Sequence, residues 1–349
     1  DKYTCDQIVE SELSYLSNYQ RVIINSGKIS NKGWEISVSG VPVKVKNFEW
    51  KTIFNWSKNN SMVESLPEGI DKIQIGSGVY NVKSYAEVGK PYGAIYAKTF
   101  KRDAEGYILC QLDGSPKEGQ DYEYLGCVQA DWRGGWNNVF RLGNFSFSVM
   151  FDFQKGGKFF SQTSIQSSVD GQSVKSLEGR DADFFSRKIL GESDEERYGF
   201  MRPQNANTPT ANGQIYPDWG RPKGVVLPNC RYDEDVEGLA GQQVLGYCTP
   251  ERYWMHYTSR DISRFIYDAS YVKLREITVS YDLPKKWLRK TPFQTFRVAA
   301  VGRNIATLFA NTPHGLDPQA TSTTGNAQGF ERGFNLPSAT YGFDIKVSF

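Results

Sequence analysis

The chain has 349 residues, of which 39% are hydrophobic, 14% are aromatic and 23% are charged. Its 41 basic and 39 acidic residues leave a net charge of +2 without long runs of one sign, which excludes an extended basic surface for nucleic acid. Because the sequence has only two histidines and its five cysteines lack a CxxC spacing, we predict no enzyme activity, no metal site and no cofactor.

Membrane-spanning helices are not expected, because a span needs about 20 apolar residues and the best candidate segment, FRVAAVGRNIATLFA, contains two arginines. A transmembrane strand needs only about 9–11 residues with every second one apolar, so the mean hydropathy of -0.52 is compatible with barrel strands. The first residues, DKYTCDQIVE, lack the apolar core of a signal peptide. We expect that a signal has been removed or that the chain begins partway through a larger protein.

Alternation of large apolar and polar residues recurs along the chain. In the segment FSFSVMFDFQ, the apolar side chains from Phe145 to Phe153 alternate with mostly polar ones, which is the period of a β-strand. Strands are predicted in this way at 33–44, 47–58, 129–140, 144–155, 271–283, 295–305 and 339–349, with a stub of an eighth at 2–9. In the strand at 271–283 the alternation changes phase, which predicts a β-bulge near Arg275 and Glu276.

The alternation alone is compatible with two folds. In a soluble β-sandwich the apolar face is buried in a core, whereas in a transmembrane barrel it contacts lipid. Short turns near residues 45, 141 and 285 alternate with long connections at 63–126, 161–265 and 305–336, as in outer-membrane barrels. We therefore predict an all-β, antiparallel transmembrane sheet. Seven strands are an odd number and open edges are costly in hydrocarbon, so the missing strands are expected from another polypeptide.

Ordered motifs from Asn25 to Phe349 carry a family resemblance. They are NSGKISNKGWEISVSG, VGKPYGAIYAKTF, YVKLREITVSYDLPKKWL, FRVAAVGRNIATLF, HGLDPQ and LPSATYGFDIKVSF. The set resembles the C-terminal barrel portion of SusC-like TonB-dependent outer-membrane receptors of Bacteroidetes. This resemblance implies a transmembrane antiparallel β-barrel of 22 strands. Residues 1–349 would supply its C-terminal strands and long extracellular loops, while the plug domain would lie outside this chain.

The same resemblance implies an outer-membrane nutrient importer for oligosaccharide or oligopeptide. Its implied partners are the N-terminal part of the same receptor with the plug and remaining strands, a SusD-like lipoprotein, TonB acting through the plug, and outer-membrane lipid. Two other functions stay open: a structural barrel subunit of an outer-membrane assembly or secretion complex, and a soluble secreted carbohydrate-binding β protein.

One connection contains a cluster of aromatic residues, in the segment PERYWMHYTSR. Arg252, Tyr253, Trp254 and Tyr257 are candidate ligand-binding residues, because aromatic faces beside a guanidinium are suited to sugar or peptide contacts. The alternative is that these rings pack the connection against itself.

Two pairs of cysteines are candidate disulfides: Cys110 with Cys127, and Cys230 with Cys248. Free thiols are the alternative, because connectivity cannot be deduced from sequence. Charged residues on the polar sides of the strands are predicted to line a substrate route or to form salt bridges. They are Glu35, Glu49, Lys51, Arg297, Arg303, Asp344 and Lys346.

Overall fold

Long antiparallel strands and a separate set of short strands make up most of the described residues. The computed structural model describes residues 2–4, 8–12, 21–25, 27–112, 114–177, 225–248, 253–313, 315–320, 328–333 and 338–349. The strands are β1 (Lys2–Thr4), β2 (Ile8–Glu12), β3 (Arg21–Asn25), β4 (Lys28–Val45), β5 (Phe48–Ser65), β6 (Lys72–Ser77), β7 (Lys83–Glu87), β8 (Ala94–Ala97), β9 (Ile108–Cys110), β10 (Glu123–Cys127), β11 (Trp132–Leu142), β12 (Phe145–Lys155), β13 (Lys158–Ser161), β14 (Val225–Tyr232), β15 (Gln243–Cys248), β16 (Ile266–Asp268), β17 (Tyr271–Asp282), β18 (Thr295–Ala310), β19 (Phe330–Glu331) and β20 (Thr340–Ser348).

Within the described ranges, helical structure is limited to short segments. The α-helices are α1 (Gln162–Val169) and α2 (Lys285–Leu288), and the remaining helical turns are at Val174–Leu177, Tyr253–Tyr257, Thr258–Arg260 and Ile262–Phe265. None of the helices in the described ranges combines the length and apolar character that a membrane crossing requires.

The long strands form one eight-stranded antiparallel sheet, which we call the wall sheet, in the order β1-β4-β5-β11-β12-β17-β18-β20. Each of the seven strands predicted from alternation has a counterpart in it, although β4 and β5 extend further than predicted, to 18 residues each. The predicted stub is shorter than expected. Only β1 pairs with β4, whereas β2 turns away and forms a hairpin with β3. Across the described ranges the wall sheet is an open sheet and not a closed barrel.

The short and the long connections of the wall sheet lie at opposite ends of the sheet. The turns β4–β5 and β11–β12 and the connection 283–294 lie at one end, the short-turn end. Gly143 has a φ of +57°, a conformation that favours glycine, and its N–H donates to the Asn47 carbonyl at 2.8 Å. Neighbouring turns are thus tied together. The long connections, residues 66–131, 156–270 and 311–339, all leave from the opposite end, the long-connection end.

The predicted bulge in β17 is confirmed. Glu276 pairs with Met150 and Leu274 pairs with Phe151, so Arg275 is an extra residue between two consecutive partners of β12. The pairing with β18 shifts at the same place. An extra residue restores the phase of the alternation, which keeps the apolar side chains of β17 on one face of the sheet.

The long connections contain a folded unit, which we call the loop-side region (the described residues of 66–131, 156–270 and 311–339). It holds three sheets, ordered β10-β8-β7-β6, β16-β13-β19 and β15-β14-β9. One buried cluster contains Phe100, Tyr232 and Trp254, and another contains Phe160 and Phe265. Strands β8 and β9 have only four and three residues and are buried along their whole length, so the sequence pattern did not reveal them.

Candidate functional site

One face of the wall sheet carries cross-strand rows of aromatic and aliphatic side chains, and we call it the apolar face. The row nearest the short-turn end runs through Val45, Phe48, Leu142, Phe145, Tyr281, Val298 and Ile345. The next row runs through Val43, Trp50, Phe140, Phe147, Val279, Ala300 and Phe343. Within this row the rings of Trp50 and Phe140 stack with centroids 5.9 Å apart. Alternate residues share a face, so the rows form one continuous apolar surface.

These apolar side chains are not covered by the described part of the chain. Phe343 is 87% exposed, Trp34 is 73% exposed, and Phe147 is 40% exposed although it lies on a central strand with neighbours on both sides. A continuous apolar surface of this extent is expected where a protein contacts a membrane or another protein. In a soluble sandwich the same rows would be sealed in a core, so the structure does not support that alternative.

The height of the apolar face fits a membrane. From Leu142 to Trp132 along β11 there are ten residue steps. At about 3.3 Å per step and a strand tilt of about 40°, they span roughly 25 Å, the height of the apolar band of outer-membrane barrels. Trp34 and Trp132 flank the band at the long-connection end, and Phe145 and Tyr281 flank it at the short-turn end. Aromatic residues at both boundaries are typical of membrane–water interfaces.

The opposite face of the wall sheet is polar and charged. All seven charged residues predicted from alternation lie on it according to the strand registers. Several form ion pairs across neighbouring strands: Lys44 Nζ lies 3.2 Å from Glu49 Oε2, Arg303 Nε lies 3.0 Å from Glu276 Oε2, and Arg297 Nε lies 2.7 Å from Asp282 Oδ1. The structure therefore has both a polar lining and the cross-strand pairing that were expected.

A buried polar cluster on this face lies at the long-connection end. Lys273 is only 1% exposed, and its Nζ donates to Asp317 Oδ1 at 2.6 Å and to Gln319 Oε1 at 3.0 Å. Arg275 Nη2 donates to the same Gln319 oxygen at 2.7 Å and also contacts Asp152. Asp317 and Gln319 belong to the HGLDPQ motif, which is thereby fixed against the wall sheet. Sequence reasoning used this motif only as a mark of the family and missed its contact with β17.

A cavity of about 500 Å³ lies beside this cluster. Its lining includes the side chains of Glu35, Ser37, Asn55, Arg133 and Asp152. Arg133 Nε donates to Gln154 Oε1 at 3.0 Å, and Ser37 Oγ donates to Asn55 Oδ1 at 2.7 Å. Carboxylate, amide, hydroxyl and guanidinium groups around one space provide hydrogen-bond donors and acceptors for a polar solute such as a peptide or a sugar.

The structure places three of the four candidate aromatic-site residues in a core, as the packing alternative predicted. Tyr253, Trp254 and Tyr257 are buried in the same core cluster of the loop-side region. The rings of Tyr253 and Trp254 meet edge to face with centroids 5.1 Å apart, and the Arg264 guanidinium lies 5.9 Å from the Trp254 ring. Their faces therefore pack against protein and are not presented to a ligand. Arg252 lies outside the described residues.

The strand registers do not bring the candidate cysteine pairs together. Cys127 is a free thiol, half-buried, with its Sγ 3.4 Å from the Tyr92 carbonyl oxygen, so it does not pair with Cys110. Burial raises the pKa of the Cys127 thiol. In the β14–β15 ladder Cys230 pairs with Val244, whereas Cys248 pairs with Val225. Four residues along β15 separate the two positions by roughly 13 Å, beyond the reach of a disulfide.

Ion pairs organise the surface of the loop-side region. Asp233 Oδ2 lies 2.9 Å from Lys101 Nζ and 2.7 Å from Lys117 Nζ, and its side chain is almost fully buried. Burial alone would raise the pKa of Asp233, but hydrogen bonds from Lys117 and Lys101 outweigh it and lower that pKa to about 2. This carboxylate joins the segment after β14 to the segment around β9.

The sequence and the fold are similar to those of known receptors and transporters. No family model matches the sequence. The chain is 24% identical over 366 residues to TonB-dependent receptor P3 of Formosa agariphila, covering 98% of this chain and 30% of that protein. It is 21% identical over 208 residues to TonB-dependent receptor P39 of the same organism, covering 46% of this chain and 20% of that protein.

Two of the similar solved structures describe one transport system. The structure of the RagAB peptide transporter has a TM-score of 0.58 at 16% identity, covering 99% of this chain and 32% of that chain. The RagAB peptide importer in the "closed-closed" state has a TM-score of 0.57 at 15% identity, with the same coverage. The chain thus spans about a third of the length of its relatives.

These similarities confirm the resemblance to TonB-dependent receptors that the ordered motifs predicted. They also agree with the predicted outer-membrane location. At this level of identity, the likeness to the solved structures shows the fold.

Proposed function

We propose that this chain forms the C-terminal part of the barrel wall of a SusC-like, TonB-dependent importer that takes up oligopeptides or oligosaccharides through the outer membrane. The observation that carries the proposal is the two-faced wall sheet. Exposed aromatic rows cover one face, ion pairs cover the other, and every short turn lies at one end. A barrel wall needs these three features together, because one face meets lipid and the other lines a polar lumen.

The unpaired edges of the wall sheet support the proposal that a partner supplies the remaining strands. Beyond Asn31, β4 has a neighbour on one side only within the described ranges, and β20 pairs with β18 alone. Each unpaired backbone group in hydrocarbon costs several kcal/mol, so both edges require strands. The N-terminal part of the same receptor would supply them and complete a barrel of 22 strands around its plug.

The remaining parts of the proposal concern the route of the solute. The cavity beside Asp152 and Arg133 lies on the polar face near the long-connection end, where a solute would enter the lumen. A SusD-like lipoprotein would cover the loop-side region, and TonB would act through the plug. Movement of such a cover and of the loops beneath it would control access.

Growth of a strain that lacks the gene tests this function. On panels of defined oligopeptides and oligosaccharides as sole nutrients, we expect loss of growth on one class and recovery with the complete receptor. Arg133→Gln should slow growth on that class while the receptor remains at normal levels in the outer membrane. Lys51→Gln, on the same face but outside the cavity, is the matched control.

Two outcomes would contradict the proposal. Unchanged growth with a general loss of surface proteins would favour the structural role in an assembly or secretion complex. A monodisperse receptor obtained without detergent would favour a soluble protein.

A further inference from the structure

Charge is distributed unevenly between the two ends of the wall sheet. The short-turn end, residues 44–49, 141–146, 281–298 and 344–349, contains nine Lys or Arg and three Asp or Glu. The whole chain contains 41 basic and 39 acidic residues, so the residues outside these four segments carry an excess of acidic groups. Positive charge is therefore concentrated at one boundary of the apolar face.

Four of these nine basic residues are on a single turn, residues 283–294, which we call the basic turn. Its sequence is LPKKWLRKTPFQ, with no acidic residue. Trp287 is 60% exposed, and the four basic side chains around it are also exposed: Lys285, Lys286, Arg289 and Lys290. None of the four forms an ion pair with a carboxylate in the described ranges.

The basic turn is held in place by the backbone. The Leu283 N–H donates to the Phe296 carbonyl at 2.8 Å, and the Gln294 N–H donates to the Ser348 carbonyl at 2.8 Å. Within the turn, the Thr291 N–H donates to the Leu288 carbonyl at 2.9 Å. The exposed charges therefore lie on a fixed scaffold that is tied to two strands of the wall sheet.

Aromatic rings lie next to the basic turn at the boundary of the apolar face. The Phe293 ring lies 5.3 Å from the Phe349 ring and 6.0 Å from the Phe296 ring, centroid to centroid. Phe296 is on the apolar face, opposite Val347. An aromatic cluster at the boundary, followed by an exposed tryptophan and unpaired basic groups, is the arrangement that meets a membrane–water interface.

We infer that the basic turn binds the anionic headgroups of phospholipids in the periplasmic leaflet of the outer membrane. This inference rests on the proposed function, which places the short-turn end at that leaflet. The exposed ammonium and guanidinium groups would bind phosphate, and Trp287 would lie at the level of the headgroups. A phospholipid is favoured over a periplasmic protein because the basic residues adjoin the edge of the apolar band.

A lipid-binding assay on the complete receptor in detergent tests the inference. The anionic probe is a fluorescent phosphatidylglycerol, and the neutral probe is a fluorescent phosphatidylcholine. Lys285→Gln/Lys286→Gln should weaken phosphatidylglycerol binding by about fivefold per neutralised residue and leave phosphatidylcholine binding unchanged. Lys285→Arg/Lys286→Arg should retain binding. Lys51→Gln/Lys346→Gln, which removes equal charge from exposed positions on the polar face of the wall sheet, is the matched control.

Equal phosphatidylglycerol binding by the two glutamine variants would overturn the inference. So would loss of a co-purifying periplasmic protein from the Lys285→Gln/Lys286→Gln receptor while its phosphatidylglycerol binding stays normal. Insertion of each variant in the outer membrane is measured separately, by fractionation and by heat-dependent migration in gels. Failure of insertion in the unmodified receptor would count against the proposed function instead.

Discussion

Aromatic side chains have opposite surroundings in the wall sheet and in the loop-side region. Phe343 and Trp34 are largely exposed on the apolar face, whereas Trp254 and Phe160 are buried by other residues of the same chain. The residue types are the same, so the two regions differ in what covers their aromatic side chains. The loop-side region is completed by its own chain. Under the proposed function, the apolar face contacts lipid, and the sheet edges pair with strands beyond those that the structure describes.

Truncation of a buried ring should give the largest difference between the two regions. Trp254→Ala removes a side chain at the centre of a core cluster, and we expect a loss of about 3–5 kcal/mol from the stability of the loop-side region. Trp34→Ala, on the apolar face, is the matched control and should leave that stability unchanged. Thermal denaturation with limited proteolysis of the complete receptor measures both. Equal destabilisation by the two changes would show that the regions are not independent.

The contact between the two regions gives the next largest effect. Lys273→Met keeps a long side chain but leaves the Asp317 carboxylate without its closest cation, which should cost about 3 kcal/mol. Lys273→Met/Asp317→Asn should recover most of that loss, because no buried charge is then left alone. Proteolytic cleavage of the segment 315–320 in the assembled receptor reports this change. A double variant as sensitive as the single one would contradict the role of the ion pair.

Much of the wall sheet could be predicted from sequence because each of its strands meets two different environments. Alternation from Phe145 to Phe153 gave the position of β12 and its apolar face, and a change of phase gave the bulge at Arg275. The ordered motifs then indicated the family. Charged residues such as Arg303 were correctly placed on the polar face for the same reason.

The loop-side region could not be predicted in this way, because its strands are short and its core residues, such as Phe100, do not recur with the period of a long strand. From sequence, Trp254 and Tyr257 are compatible with a ligand site or with packing, and only the fold shows that they lie in a core. Cysteine pairing could not be deduced for a related reason, since spacing along the chain does not report the register that separates Cys230 from Cys248. Asp317 is far from Lys273 in sequence, so their contact also needed the fold.

A charge on each face of β12 tests which face meets lipid. Phe151→Lys places an ammonium group on the apolar face well inside the band, and we expect a loss of about 2 kcal/mol in assembly. Ser148→Lys places the same charge on the polar face of the same strand and should have little effect. The yield of heat-modifiable receptor in the outer membrane measures assembly. Equal yields for the two variants would mean that the faces are assigned incorrectly.

The smallest expected effect concerns acid stability and affects the loop-side region alone. Asp233 has a pKa of about 2 in the folded chain, below the value of 3.8 expected when it is unfolded, because Lys117 and Lys101 stabilise its carboxylate. Stabilisation from this group is therefore complete above about pH 4 and is lost as the pH falls toward 2. Since Lys101 is partly exposed, we expect the contribution to be about 1 kcal/mol. Asp233→Asn should reduce the pH dependence of loop-side melting over this range and leave the assembly of the wall sheet unchanged. An identical pH profile in the variant would contradict this prediction. It would mean that the two lysines give the Asp233 carboxylate no net stabilisation on folding.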